Sequence, residues 1–171
     1  MANYPPSTIA RIGDINRGLL VETGSLAGAT YLLTGGTQTE IFAIYGRLLV
    51  KYLWLEVLTD LSAHACQVAF TVTFTTPSIA VNAMCAKCAS LASAARGLRS
   101  WFVGGAVATA AVITDSAGLS DINVNPHMVG GKDFIGTIGI LASDASIASG
   151  TFMVGMCYVP MSNGAYAQAL L

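Results

Sequence analysis

Cys85-Ala-Lys-Cys88 sets two thiols at the C-x-x-C spacing, which allows a thiolate pair to chelate a metal or to work as a redox dithiol. His64-Ala-Cys66 lies upstream and would complete a Cys₃His site if its strand packed beside the C-x-x-C segment. Three features argue against a metal. Cys66 shares an apolar face with Val68 and Phe70, no further ligands stand at knuckle spacing, and small buried cysteines are common in cores. The zinc deaminase pattern, H-x-E followed by P-C-x-x-C, fails at both the proton-shuttling Glu and the Pro. No metal and no other cofactor is expected.

Nucleophilic catalysis needs an activated Ser or Cys, a base and an orienting group, and the only histidines are His64 and His127. Gly118-Leu-Ser-Asp121 begins like a nucleophile elbow and departs from it at Asp121. His127 follows Asn125-Pro126 and is expected as a solvated histidine in a polar loop. The carboxylates are scattered singly, and neither phosphate-binding glycine motif occurs. The expectation is a protein without enzyme activity.

The elements that would carry these residues read as strands. Cys66, Val68, Phe70, Val72 and Phe74 alternate with Gln67, Ala69, Thr71, Thr73 and Thr75, the period of a half-buried antiparallel strand. No charge falls between Asp60 and Lys87, so the hydroxyl and amide face suits contact with another sheet or subunit. Tyr31 to Thr34 and Glu40 to Thr59 read as two strands around Gly35-Gly36; Leu98 to Val103, Val107 to Thr114, Phe134 to Ala142 and Thr151 to Val159 read as shorter ones. Their separators are Gly104-Gly105, Asp115 to Gly118, Gly130-Gly131 and the stretch from Ser143 to Gly150. Met84 to Arg96, Ala-rich and closed by Gly97, is the one stretch that predicts a helix. Residues 1–28 lack periodicity and are expected as an extended N-terminal arm, with residues 29–171 forming a single antiparallel β-sandwich.

Composition narrows the function classes. The chain has 171 residues, 54% hydrophobic and only 10% charged, with 8 Lys plus Arg against 9 Asp plus Glu. The cations form no basic stripe, so nucleic acid is not an expected partner. About 25% charged residues is usual for a soluble domain, and the shortfall is understandable if another chain covers part of the surface. The uncharged runs do not read as membrane spans. Leu61 to Ala86 alternates and contains Pro77, Ser100 to Thr114 is short, and Ala145 to Leu171 is broken by glycines and Pro160. The N-terminus shows no signal pattern, which with four cysteines predicts free thiols in a reducing compartment.

The segments Tyr31-Leu-Leu-Thr-Gly-Gly, Thr39-Glu-Ile-Phe-Ala-Ile-Tyr-Gly46, Gly136-Thr-Ile-Gly-Ile, Ser146-Ile-Ala-Ser-Gly150 and Tyr158-Val-Pro-Met-Ser-Asn-Gly-Ala165, in that order, resemble a family of small structural proteins of tailed bacteriophages that decorate or cement the capsid. The resemblance covers roughly Ala29 to Ala165. It departs from the family pattern at Met84 to Trp101, with its extra alanines and Cys88, and at Glu56 to Ala65. It implies a sandwich of jelly-roll type, a virion protein made and assembled in the bacterial host cytoplasm, and a homo-oligomer, taken as a trimer, bound to the major capsid protein. Arg11 and Arg17 on the arm are the candidate partner-binding residues. The alternatives are a head fibre base or tail component, and, in a different class, a cytoplasmic C-x-x-C metal or redox protein.

Overall fold

The computed structural model describes residues 18–33, 38–102, 112–114 and 126–171. Among them are twelve strands: β1 (Leu19–Glu22), β2 (Leu26–Ala27), β3 (Thr39–Tyr45), β4 (Leu48–Thr59), β5 (Cys66–Thr76), β6 (Ile79–Ala83), β7 (Arg99–Phe102), β8 (Val112–Thr114), β9 (His127–Val129), β10 (Ile135–Asp144), β11 (Thr151–Pro160) and β12 (Tyr166–Ala169). The protein is all-β, and among the described residues the helical element is a single turn at Gly28–Tyr31. No described helix is long and apolar enough to cross a membrane.

Two antiparallel sheets result. The first runs β1-β11-β4-β7-β8, with β2 also on β11 and β9 also on β4; the second runs β12-β3-β10-β5-β6. Period-two patterning decides which side chains face inward. In β4 the buried positions are Leu48 and Val50, then Leu53, Leu55 and Val57. The change of phase is a bulge, because Cys157 pairs with Tyr52 while Tyr158 pairs with Val50, leaving Lys51 as the extra residue. In β5, Cys66, Val68, Phe70 and Phe74 are buried, as the alternation predicts. Phe70 meets Phe102 of the opposite sheet edge-on at 6.4 Å, and side chains of both sheets form one core cluster.

Several expectations are corrected. The run from Glu40 to Thr59 is not one strand: it divides at Gly46-Arg47 into β3 and β4, which lie in opposite sheets. Gly46 has φ +74°, and a Cβ there would come within 2.8 Å of both Ala165 Cβ and Ser162 Oγ, so the corner is suited to glycine. Tyr31 closes the helical turn instead of opening a strand. The expected helix at Met84 to Arg96 is irregular backbone. Its amides are drawn outward, Met84, Cys88 and Leu91 donating to the carbonyls of Phe70, Val68 and Cys66 on β5, and these tertiary bonds replace the i to i−4 ladder that alanine content favours. The sheet also begins before residue 28, since Leu19–Glu22 and Leu26–Ala27 both pair with β11. A four-residue strand between Gly18 and Gly24 is too short to reveal a period. Residues 1–17 of the expected arm, Gly35-Gly36, Gly104-Gly105 and Asp115 to Gly118 lie outside the described residues, as does the expected strand from Val107 except for its end in β8.

Tyr158 on β11 ties the sheets together. Its buried hydroxyl accepts from the Ala167 amide at 3.0 Å and faces the Ala167 carbonyl at 3.3 Å, on β12 of the other sheet. Tyr158→Phe is expected to cost about 1–2 kcal/mol by stranding those backbone groups, measured as a lower urea midpoint with an unchanged m-value.

Candidate interaction surface

The thiols of the C-x-x-C pair complete the edge of β5. β6 covers that edge only over Thr71 to Phe74, and beyond it the irregular segment takes over. There the Phe70 amide donates to Cys85 Sγ at 3.4 Å and the Val68 amide donates to Cys88 Sγ at 3.3 Å. Cys66, Cys85 and Cys88 are buried, and none of the four cysteines forms a disulfide. Burial, reinforced by the neighbouring Cys88, pushes the Cys66 thiol from 9.0 up to about 11, and burial also raises Cys88. Thiols held protonated in this way are poor nucleophiles and poor ligands. Among the described residues no three His, Cys, Asp or Glu side chains come together as a metal cluster.

The histidines serve the framework too. His64 Nδ1 lies 3.0 Å from Ser62 Oγ, which also receives the Ala148 amide at 2.9 Å. Ser62 thereby bonds the β4–β5 loop to the β10–β11 loop. The nearby Asp60 carboxylate is engaged elsewhere, accepting from the Arg96 amide at 2.8 Å. His127 is not in a polar loop: it begins β9, pairs with Val50 and sets its ring edge-on to Phe102 at 5.7 Å. The Gly118 to Asp121 segment lies outside the described residues, and so do Arg11 and Arg17.

The outer faces of the two sheets both carry aromatic residues, the second sheet stacking Tyr45 on Tyr166 at 4.4 Å beside the exposed Ile135. On the second sheet a relay of polar groups is internally satisfied. Thr73 Oγ1 donates to Gln38 Oε1 at 2.8 Å, Gln38 Nε2 donates to Thr137 Oγ1 at 3.4 Å, and Thr137 Oγ1 donates to Glu40 Oε1 at 3.2 Å. Gln38 lies over Gly139, the β10 partner of Thr71, and Thr71 is itself buried. The uncharged face of β5 is thus partly covered by its own chain.

The first sheet carries an aromatic face. Register places Leu20, Cys157 and Tyr52 in one row, Glu22, Gly155, Trp54 and Trp101 in the next, and Met153, Glu56 and Arg99 in a third. Trp54 lies flat on the backbone of Gly155, where a Cβ would come within 2.2 Å of the indole. Trp101 packs beside it with centroids 5.5 Å apart. Arg99 closes the far side, its Nε donating to Glu56 Oε2 at 2.8 Å and its guanidinium standing 5.8 Å from the Trp101 ring centre. Leu20 and Tyr52 are 49% and 44% exposed, and both indoles are partly exposed. Sequence reasoning missed this face, although β4 carries a signal for it: Tyr52, Trp54 and Leu58 are large and apolar in the phase opposite to Leu53, Leu55 and Val57.

Under native conditions a thiol reagent should modify at most Cys157, with Cys66, Cys85 and Cys88 reacting only on unfolding, and elemental analysis should find no stoichiometric zinc. Fast reaction of the C-x-x-C pair would contradict its role as a backbone acceptor. The raised Cys66 value also fixes a pH dependence. The folded state binds the thiol proton more tightly, so this contribution is complete below pH 9 and is lost as pH rises toward 11. Cys66→Ala should flatten the alkaline fall in stability, read from urea midpoints across that range.

No family model, no curated protein and no solved structure matches the chain.

Proposed function

We propose that this chain is a structural protein of a tailed-bacteriophage virion, a decoration or cement protein of jelly-roll type that binds the major capsid protein and stabilises the shell. It acts as a homo-oligomer, a trimer on this reading, made and assembled in the host cytoplasm and resident in the virion. The observation that carries the reading is the aromatic face on the first sheet, a broad apolar surface on rigid strands in a chain with only 10% charged residues. Such a surface suits lasting contact with protein better than turnover of a small substrate.

The jelly-roll part is supported by connectivity. Setting aside the short additions β2, β8, β9 and β12, the sheets run β1-β11-β4-β7 and β3-β10-β5-β6. The chain crosses between sheets at β1 to β3, β3 to β4, β4 to β5, β6 to β7, β7 to β10 and β10 to β11. Two four-stranded sheets wound in this way support a double Greek key, an arrangement of viral capsid domains and also of lectins and cupins.

The chemistry would be association without bond making. Apolar burial contributes about 25 cal/mol per Å², partly offset by the cost of immobilising each copy, and repetition on a lattice multiplies weak contacts. Arg11 and Arg17, on the segment preceding β1, would meet acidic groups of the shell.

Purified protein added to undecorated capsids should bind saturably and raise their disruption temperature. Deleting residues 2–17, which stops short of β1, should keep the β-rich circular dichroism spectrum while weakening binding. Replacing Arg11 and Arg17 by Ala should reduce the salt sensitivity of what remains. Absence of saturable binding to capsids would overturn the proposal; unchanged affinity and salt response in both variants would remove the two arginines from it.

A further inference from the structure

We propose that Tyr45 and Tyr166 form an oxidative cross-linking site, at which a one-electron oxidant of the haem-peroxidase class, supplied with hydrogen peroxide, joins the two phenol rings and so bonds β12 to β3. The site is independent of the functional reading above, because neither a capsid nor a second copy of the chain takes part.

Register brings the two side chains together. Tyr166 opens β12 and pairs with Tyr45 at the end of β3, and directly opposed residues of an antiparallel pair set their Cβ atoms about 4.5–5.5 Å apart. The rings stack with centroids 4.4 Å apart and planes inclined by only 17°. Partial burial, the neighbouring Tyr45 phenol and a hydrogen bond to it all raise the Tyr166 pKa, so the hydroxyl ends of the two rings lie together. The carbons ortho to those hydroxyls, where a phenoxyl radical carries much of its spin, are therefore neighbours, and a slide of one ring over the other brings them edge to edge. An oxidant can reach them: Tyr166 is 40% exposed and Tyr45 half-buried, whereas Tyr158 is buried.

In the reaction each phenol gives up one electron and one proton. The two phenoxyl radicals then couple through a carbon–carbon bond between their ortho positions, and the hydrogens on the joined carbons move to the oxygens as both rings regain aromaticity. Hydrogen peroxide accepts the two electrons and two protons and leaves as two molecules of water. Topology shows what the bond would hold. β12 is the outermost strand of the second sheet, four residues long and paired along one side with β3, yet it carries the Ala167 backbone groups that meet the Tyr158 hydroxyl of the other sheet. No disulfide ties either sheet among the described residues. Tyr45 and Tyr166 are more than a hundred residues apart in the chain, so a bond between them closes a long loop and removes that freedom from the unfolded state.

The full-length protein treated with a haem peroxidase and hydrogen peroxide should lose two hydrogens from its intact mass while running as a single chain on a denaturing gel. It should gain the blue fluorescence of dityrosine and yield a cross-linked peptide joining Tyr45 to Tyr166. Tyr166→Phe should abolish that fluorescence under the same oxidation, and Tyr52→Phe, at an exposed tyrosine of the first sheet, should leave it unchanged. The linked protein should unfold at a higher urea midpoint than the unlinked one. Absence of a link, a link that joins other tyrosines or separate chains, or a linked product with an unchanged or lower midpoint would each overturn the proposal. Peptide mapping uses the unaltered protein, so it decides the matter even if Tyr166→Phe fails to fold. No capsid enters the experiment, so its failure would leave the functional reading untouched.

Discussion

The ladder between β4 and β11 is the constraint on which the other elements depend. These two strands pair from Thr59 with Thr151 to Leu48 with Pro160. Their inward residues, Leu53, Leu55 and Val57 against Phe152, Val154 and Met156, are fully buried. β1 and β2 use the free side of β11, and β7 and β9 use the free side of β4, so each peripheral strand takes its register from this pair. A slip of either strand by one residue would turn its own three fully buried side chains outward and bring its outer row into the core. The bulge at Lys51 lets β4 keep both halves of its length facing inward while the sheet twists.

The second problem of any open sandwich is its edges, where unpaired amides and carbonyls invite another strand. β5 shows two solutions along one edge. Over its C-terminal half it is covered by β6, whose pairing shifts register between Val72 and Phe74 and whose Ala80 carbonyl is taken by the Asn82 side chain at 2.8 Å. A bulged strand with an occupied carbonyl is a poor template for further pairing. Over its N-terminal half β5 is covered by a segment that is not a strand. Backbone amides of that segment satisfy the β5 carbonyls, and two cysteine sulfurs receive the β5 amides. The C-x-x-C spacing matches the two-residue step from Val68 to Phe70, which gives the motif a structural reason. The fully buried Ser100 hydroxyl lies beside Cys88 and partly opposes the effect of burial on its thiol.

Elements carrying a full period of alternation were legible in the sequence, and those defined by tertiary bonding were not. β5, β7, β10 and β11 lie where their patterns predict, within a residue or two at their ends. The break between β3 and β4 was hidden because Ile44, Tyr45 and Leu48 continue an apolar run across Gly46, and the corner depends on contact with Ala165 and Ser162 more than a hundred residues away. β6, β9 and β12, of three to five residues, show too little of a period, whereas the equally short β7 was legible because Gly97 and Gly104-Gly105 bound its run. Met84 to Arg96 misled because alanine content describes what a segment prefers alone, whereas here β5 offers the better use of its amides. The aromatic face was missed for another reason. Trp54 and Trp101 are 47 residues apart and become neighbours only through the β4–β7 register.

The scarcity of charge acquires a structural meaning once the faces are compared. A sheet exposed to water on one side ordinarily places charged residues along that side. Here the second sheet joins hydroxyls, the Gln38 amide and the Glu40 carboxylate to one another across its strands, beside a stacked Tyr45–Tyr166 pair. The first sheet sets Trp54 over Gly155 with Trp101 beside it, and places the Glu56–Arg99 pair in the neighbouring row. Gly155 has to lack a side chain for Trp54 to lie over it; Trp101 packs beside Trp54 at 5.5 Å with the rings tilted by 35°, and Arg99 stands 5.8 Å from the Trp101 ring centre. Core packing does not require that arrangement, because β11 could carry any small residue there without disturbing Val154 or Met156, which point the other way. The glycine is therefore explained by what it presents outward, and the surface it levels is built as a single unit from strands widely separated in the chain.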